Sequence, residues 1–541
     1  MNGLMMNYQL TLPAILRRAE QLYPHKEIAT RLPDRSVHRY AYWDFVSRAK
    51  KLSVVLKDLG IRAGERVGTL CWNHHQHLEA YFGIPSAGAV LHTLNLRLHP
   101  DDLSYIVNHA GDRALLVDES LLPLYEQFAD KVNLEHVIVV SESGAAPPAG
   151  MHAYEELLEG VDADEFSYPE PDENRAAAMC YTSGTTGHPK GVVYSHRALV
   201  LHSLGILTID AFALSEADVA LPVVPMFHVN AWGIPFAAAL AGAKQVFPGP
   251  HLDPASLLEL FEAERVTFAA GVSTIWLGLL QLLDRHPDAY DLSSLRQMNV
   301  GGSAAPEWMI RGFQQRHGLR VVHGWGMTET SPVGTVAPLP SELREAPEDE
   351  QYRYRAKQGF PMPLVEIRIR GEEGIAPWDG ESMGELEIRG PWIASAYYDS
   401  PESSEKFTQD GWLRTGDIST IDQSGYMEIK DRTKDLIKSG GEWISSVALE
   451  NTLMEHEAVA EAAVIAVAHP KWQERPLAVV VQKEGASATQ EELISYLEPR
   501  FPKWSLPDAV EFVEEIPKTS VGKFKKSELR ERYAQSAPVG D

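Results

Sequence analysis

Apolar positions recur at helical spacing over Tyr42–Leu59 (YWDFVSRAKKLSVVLKDL) and then give way to the short apolar run Val67–Cys71. The same change of period recurs at Asp102–His109 with Ala114–Val117, and at Ala255–Glu264 with Phe268–Gly271. Helix and strand candidates that alternate over hundreds of residues predict an α/β architecture with mainly parallel sheets. From Gly384 to Lys430 the pattern changes to GELEIRG, GYMEIK and several glycine turns, which predicts a β-rich subdomain. Beyond Asp431 the chain carries its own compact pattern. A helix is predicted at Ser446–Met454, strands at Ala462–Val467 and Leu477–Val481, a helix at Gln490–Glu498 and a strand at Ala509–Phe512. The expectation is a large N-terminal domain over 1–430 and a small α+β C-terminal domain over 431–541. No 20–50-residue repeat and no long low-complexity tract interrupts this reading, and Gly144–Gly150 (GAAPPAG) is only a loop.

Composition narrows the function. The 541 residues are 44% hydrophobic and 23% charged, which excludes a disordered chain. With 49 Lys+Arg against 75 Asp+Glu the net charge is −26, which argues against broad binding to nucleic acid or anionic membranes. Cys71 and Cys180 match no zinc, disulfide or redox spacing, so a reducing compartment fits. The N-terminus, MNGLMMNYQL, lacks the features of a secretory signal. The weakly polar stretch Ala231–Ala243 is too short to span a bilayer. A cytoplasmic location is expected.

Two segments carry the chemistry. The first is Tyr181–Gly191, YTSGTTGHPKG, which follows a strand candidate at Ala176–Tyr181. Gly184, Gly187 and Gly191 allow tight turns whose backbone N–H groups face anionic oxygens. Thr182, Ser183, Thr185 and Thr186 add hydroxyls and Lys190 adds a positive charge, which together suit a phosphate. It is not a Walker A loop, because Pro189 stands where that motif needs its second glycine. The second segment is His323–Glu329, HGWGMTE. It is not a dinucleotide fingerprint, since Glu329 replaces the third glycine. It offers instead an aromatic plane (Trp325), a hydroxyl (Thr328) and a carboxylate (Glu329) suited to stacking, phosphate contact and Mg²⁺.

Together with three downstream segments, these motifs resemble the adenylate-forming superfamily of acyl-CoA synthetases, luciferases and peptide-synthetase adenylation domains. YTSGTTGHPKG resembles its phosphate loop, GWGMTE its adenine-and-metal motif, and Trp412–Asp417 (WLRTGD) its ribose-binding aspartate. Asp431–Trp443 resembles its hinge and the loop that follows, and Pro517–Lys523 (PKTSVGK) its catalytic-lysine motif. Val224–Trp232, Gly301–Pro306 and Lys471–Pro476 are similar to the fatty-acyl-CoA synthetase branch. Medium-chain ligases and 3-methylmercaptopropionate–CoA ligases share the GWGMTE form, while some long-chain relatives carry tyrosine where Trp325 stands.

The resemblance implies a two-step reaction. A carboxylate joins the α-phosphate of ATP to give acyl-AMP and pyrophosphate, and the CoA thiol then displaces AMP. It implies that Lys190 and the loop amides hold the β/γ-phosphates, and that Glu329 with Thr182 places Mg²⁺. It implies further that Thr328 contacts the α-phosphate, Asp417 takes the ribose with help from Arg432, and Lys523 sits on the carboxylate and α-phosphate oxygens. Gly302, Ser303, His323, Gly324, Gly326 and Met327 complete the nucleotide site. His228, Trp232, Gly302 and Pro332 are expected at the acyl pocket, with Trp232 as a gate; the small residues Gly302, Ser303 and Ala304 leave room for an unbranched chain. The i,i+4 spacing of His228 and Trp232 is compatible with one side of a helical turn. Because Lys523 lies in the small domain, that domain must move about Asp431, bringing Lys434, Lys438, Gly440, Gly441 and Trp443 to a second site for CoA.

The expected partners are a small carboxylic acid, ATP and CoA, with no nucleic acid and with a homodimer as the assembly. A medium-chain fatty acid leads, and a thioether acid of similar size or a long-chain acid is the alternative. A carrier-loading or amide-forming adenylating enzyme is the other class of ligase; few residues follow Lys523, which leaves no room for a fused carrier. The cluster Asn73–Glu79 (NHHQHLE) is read as structural, with Asn73 as a helix cap.

Overall fold

The computed structural model describes residues 1, 3–141, 143–182, 188–440, 442–518 and 524–534, apart from the side chain at 402. Most of the chain is organised by two large sheets. One has nine strands, in the order Phe360–Pro361, Val333–Val336, Val321–Gly326, Gln297–Gly301, Phe268–Val272, Val219–Pro222, Lys244–Phe247, Glu27–Arg31 and Val37–Ala41. Its six central strands run parallel, and antiparallel pairs close both edges. The other has seven strands, His152–Ala153, His136–Val140, Asp112–Asp118, Arg66–Leu70, Val90–Thr93, Ala176–Tyr181 and Gly191–Ser195, all parallel except the last.

The alternating pattern explains the layering. The helix Tyr42–Asp58 buries Phe45, Val46, Ala49, Leu52 and Leu56 on one stripe. That stripe meets the helix His75–Ser86, where a Cβ at Gly83 would come within 2.9 Å of the Ala49 carbonyl oxygen. Each fully buried Leu or Phe contributes about 1.5–3 kcal/mol, so this seam is a large part of the core. The helix His75–Ser86 is buried on every side.

The β-rich segment forms a five-stranded antiparallel sheet, Gly374–Ile375, Glu366–Gly371, Gly384–Arg389, Leu413–Ile421 and Met427–Arg432. Its last strand carries the chain through Asp431 before the next sheet begins at Ile437. That sheet contains Glu442–Ile444, Ile437–Ser439, Gln473–Gln482 and Val459–His469, with Ala509–Phe512 parallel to Gln473–Gln482. It has separate apolar clusters of its own, one around Leu449, Leu453 and Val480, the other around Ile465, Val479 and Leu529. Its central hairpin is longer than the apolar runs predict. Polar residues His469, Gln473 and Glu474 extend the ladder by backbone pairing, to which hydrophobic periodicity is blind.

What matters for function is where the parallel strands end. Pro222, Val272, Gly301 and Gly326 are the carboxyl ends of four strands in the nine-stranded sheet. The loops that leave them carry His228–Trp232, Ser273, Gly302–Ala304 and Met327–Pro332. In open α/β sheets, ligands bind beyond those ends. No helix among the described residues is long and apolar enough to cross a membrane.

Candidate active site

The strands Ala176–Tyr181 and Gly191–Ser195, which flank the phosphate-loop segment in sequence, pair antiparallel. The mouth of the pair is pinched at Thr182, whose N–H donates to the Lys190 carbonyl (3.0 Å) and whose Oγ1 accepts from the Lys190 N–H (3.1 Å). Ser183, Gly184, Thr185, Thr186 and Gly187 lie outside the described residues. The Lys190 ammonium stands 5.2 Å from the centre of the Tyr397 ring. The Tyr397 hydroxyl donates in turn to Oε1 of Glu329. Glu329 is buried, and burial raises its carboxyl pKa while the Tyr397 hydrogen bond opposes that rise. Thr328 is buried beside it, with its carbonyl accepting from the Tyr194 hydroxyl at 2.8 Å.

Trp325, Asp417 and Arg432 also converge, although they lie far apart in sequence. The indole N–H of Trp325 donates to Asp417 Oδ2 at 2.9 Å, and Arg432 Nε lies 3.5 Å from Asp417 Oδ1. Asp417 and Arg432 are cross-strand partners, which sets this spacing. The glycines here are fixed by crowding. A Cβ at Gly326 would lie 1.9 Å from the Pro332 carbonyl oxygen, and one at Gly334 would lie 2.7 Å from the Trp325 ring. A Cβ at Gly301 would meet both Trp232 and the Gly324 carbonyl at 2.9 Å. Met327 N–H donates to Thr330 Oγ1 (2.9 Å), and Ser303 Oγ pairs with Ser273 Oγ. His323 is buried behind this surface. Its Nδ1 reaches the Ala356 and Lys357 carbonyls at 3.1 and 3.0 Å, and burial lowers its pKa, so it is neutral and positions the strand.

The acyl-side segment departs from the expected helical turn. Val229, Asn230, Ala231 and Trp232 all have positive φ (44°, 52°, 49° and 57°), and Gly233 follows at 72°. His228 is extended, at φ −115° and ψ 110°. His228 and Trp232 therefore do not share a face of a right-handed turn. Left-handed geometry costs roughly 1–2 kcal/mol per non-glycine residue, so the surroundings must impose it. Asn73 supplies one clamp. Its Nδ2 donates to the Pro222 and Val224 carbonyls (3.0 and 2.9 Å), and its Oδ1 accepts from Met226 N–H (2.7 Å). Tyr81 adds a hydrogen bond from its hydroxyl to the Met226 carbonyl. Trp232 is buried, with its ring against Gly301.

Asn73 is thus not the helix cap. His74 is, accepting from His77 N–H through Nδ1 at 3.1 Å. The neighbouring Cys71, His74 and Asp118 bring three ligand atoms within 4.8 Å of one another. They do not suit a metal. With Nδ1 accepting, the single proton of neutral His74 sits on Nε2, which donates to Asp118 at 2.8 Å. Ligation would require an imidazole stripped of both protons. His75 and Glu79 are structural as expected: Glu79 is buried, bonded to Arg48 (2.8 Å) and Tyr154 (2.7 Å).

In the small unit, Asp431 Oδ2 accepts from both N–H and Oγ–H of Ser446 at 2.6 Å, and burial raises its pKa. Lys526 donates to Ser446 Oγ and Glu450 Oε1, both at 2.6 Å. Lys434 and Lys438 are exposed, the latter with its ammonium 4.4 Å from the centre of the Trp443 ring. Gly440 has φ 61°, and a Cβ there would meet Trp472 at 2.7 Å. Gly441 and Lys523 lie outside the described residues. Lys518 and Phe524, which flank that segment, pair as an antiparallel bridge.

Lys190 meets Glu329 through Tyr397, and Trp325 and Arg432 meet on Asp417, an arrangement suited to an adenylate-forming α/β enzyme. The family described as AMP-binding enzyme matches residues 16–398, and the AMP-binding enzyme C-terminal domain matches 448–523. The chain belongs to this family of enzymes. It is 53% identical over 533 residues to a long-chain-fatty-acid–CoA ligase of Thermus thermophilus, covering 98% of this chain and 96% of the relative. It is 43% identical over 538 residues to a 3-methylmercaptopropionyl-CoA ligase of Ruegeria lacuscaerulensis, covering 98% and 99%. Among solved structures it resembles the anthranilate CoA ligase AuaEII in complex with anthranoyl-AMP, with a TM-score of 0.87, 26% identity and coverage of 98% and 99%. By sequence and fold it is a ligase of this acyl-CoA-forming group.

The residues missed by sequence reasoning are Tyr397, Tyr194, Asn73 and Tyr81. Asn73 lay in view within the histidine cluster, but its partners are more than a hundred residues away.

Proposed function

We propose that the protein converts an unbranched medium-chain fatty acid, or a thioether acid of similar size, to its CoA thioester with ATP and Mg²⁺. The observation that carries this reading is the convergence of Lys190, Tyr397 and Glu329 with Trp325, Asp417 and Arg432 around the strand ends. A substrate carboxylate oxygen attacks the α-phosphorus and the bond to pyrophosphate breaks. Two anions must meet, so fixed cations offset the repulsion. Lys190 and the loop amides hold the β/γ-phosphates, Thr328 contacts the α-phosphate, and Asp417 accepts from the ribose hydroxyls. Lys523 bridges the carboxylate and the α-phosphate.

A buried carboxylate that accepts one hydrogen bond from Tyr397 keeps lone pairs for Mg²⁺, which binds through one or two carboxylates and the substrate's phosphates. Glu329 and Thr182 would hold it, and when bound it neutralises charge on the phosphate oxygens. In the second step the CoA sulfur attacks the acyl carbon, the bond to AMP breaks and the thiol proton is released. Lys434, Lys438, Gly440, Gly441 and Trp443 line that second site after residues 431–541 rotate against 1–430 about Asp431. The acyl chain runs past His228, Trp232, Gly302 and Pro332.

Relatives that act on a short thioether acid and on long-chain acids both use linear chains ending in a carboxylate, and a medium-chain acid lies between them in size. Both cysteines are free and buried, which supports a reducing, cytoplasmic setting. A panel of acids from C2 to C16, including 3-methylmercaptopropionate, assayed for AMP and thioester tests the reading. A maximum at medium length is expected. AMP formation without thioester in the presence of CoA would overturn the ligase reading in favour of carrier or amide chemistry. A maximum at C16 would overturn the medium-chain assignment alone.

A further inference from the structure

The segment Trp392–Tyr398 belongs to none of the motifs, yet it ties two of them together. Ser331 Oγ donates to the Trp392 carbonyl (2.6 Å), Trp392 Nε1 donates to the Val333 carbonyl (3.1 Å), and Ala394 N–H donates to the Glu329 carbonyl (2.8 Å). At its other end Tyr398 N–H donates to the Gly191 carbonyl at 2.8 Å, directly after Lys190. The segment is a strap from the metal motif to the phosphate-loop hairpin, and Tyr397 is the side chain it turns inward. Its hydroxyl donates to Glu329 Oε1, its ring face receives the Lys190 ammonium at 5.2 Å, and Phe407 packs edge-on against it at 5.7 Å.

We propose that Tyr397 is a positioning residue for adenylation, fixing the Glu329 carboxylate and the Lys190 ammonium relative to one another before the nucleotide arrives. This rests on the adenylation reading above. A carboxylate has about four lone-pair sites, so a hydrogen bond from Tyr397 orients Glu329 and leaves capacity for a cation. The ring face attracts the ammonium through its quadrupole and draws it towards the carboxylate side of the loop. One residue thus sets the separation between the group that takes the metal and the group that takes the outer phosphates.

Three variants test this, read first by binding in the absence of acid. Binding of Mn²⁺–ATP is followed by the Mn²⁺ electron paramagnetic resonance signal, and binding of ATP in chelator by calorimetry. Tyr397→Phe keeps the ring and loses the hydroxyl. It is expected to weaken Mn²⁺–ATP binding by about 3–10-fold while metal-free ATP binding is unchanged. Tyr397→Leu also loses the ring face, and should in addition weaken metal-free ATP by about 2–5-fold and raise the KM for ATP in pyrophosphate exchange. Glu329→Gln is the control for the site itself. If Glu329→Gln weakens Mn²⁺–ATP binding and Tyr397→Phe does not, the role of Tyr397 is refuted. If Tyr397→Phe weakens metal-free and metal-loaded ATP equally, its role is general packing and the proposal is again refuted. If Glu329→Gln itself has no effect on Mn²⁺–ATP binding, the metal site is wrongly assigned and the adenylation geometry falls with it.

Discussion

The groups around Trp325, Glu329 and Asp417 and those around Asp431 and Lys526 are held together by different physics. On the side proposed for the nucleotide, Trp325, Thr328, Glu329 and Asp417 are buried and held by neutral or charge-assisted hydrogen bonds. On the other side of Asp431, the described groups proposed for CoA, Lys434, Lys438, Gly440 and Trp443, are exposed, with Trp443 at 38%. What is buried there is a charge cluster, Asp431–Ser446–Lys526–Glu450, at the join itself. A site that must bind a polyanion in one geometry gains from a preorganised, dry frame. A unit proposed to present two faces would gain from an ionic latch whose parts stay together while its surface stays open. The contrast lies in what is buried, hydrogen-bonded side chains in one case and paired charges in the other.

The largest effect that sharpens this contrast is on stability. Lys526→Met leaves Glu450 and Asp431 buried without their cation, and breaking a buried pair in this way costs about 3–5 kcal/mol. Denaturant unfolding followed at Trp443, Trp472 or Trp504 should show the small unit destabilised, while tryptophans of residues 1–430 keep their transition. Equal loss in both would erase the distinction.

A smaller effect concerns the left-handed turn. Trp232→Ala removes an indole packed against Gly301 and leaves a void in its place. A longer or bulkier acid fills part of that space, so the preferred chain length should shift upwards in the acid panel. An unchanged profile would remove Trp232 from the pocket. Asn73→Ala should broaden the same profile without shifting its maximum, because it loosens the clamp on Pro222–Met226 and leaves the lining residues in place.

The smallest and most diagnostic effect is a pH dependence carried by buried histidines of the large region. Burial pushes His77 and His202 down to about 3 and His196 to about 4. Each is neutral when folded and takes up a proton on unfolding below its ordinary value of about 6.5. The unfolded state then binds more protons, so stability is full above about pH 6.5 and falls as the pH drops from there towards 3–4. Replacing His202 by Asn should flatten that slope between pH 6.5 and 4. An unchanged slope would mean that His202 is already protonated in the fold.

How much of this was legible in the sequence follows the same division. Trp325 and Glu329 stand in a contiguous segment whose residue types announce their chemistry, and Asp417 was reached through the family resemblance. The strand Val321–Gly326 that carries Trp325 was not among those the α/β alternation predicted. Tyr397 was invisible because its value comes from touching Lys190 and Glu329 at once, and Asn73 because its three partners lie across the chain. The left-handed turn at Val229–Trp232 had no local signal, since the non-glycine sequence VNAW gives no warning of positive φ; it is imposed by the packing and clamps around it. Lys526 stands in the run KFKK, and nothing local to that run signals that the fold pairs it with Glu450.

The central proposal is that one chain uses two arrangements, and single-turnover kinetics of each half-reaction test it most directly in Lys523→Ala, Asp431→Pro and Lys438→Ala. Lys523→Ala should slow adenylate formation by about 10²–10³-fold and spare thioester formation from supplied acyl-adenylate. Asp431→Pro, which fixes φ at the join, should form adenylate and stall at transfer to CoA, with Lys438→Ala resembling it. Equal losses in both half-reactions for all three variants would mean a single static site, and the two-arrangement mechanism would be wrong.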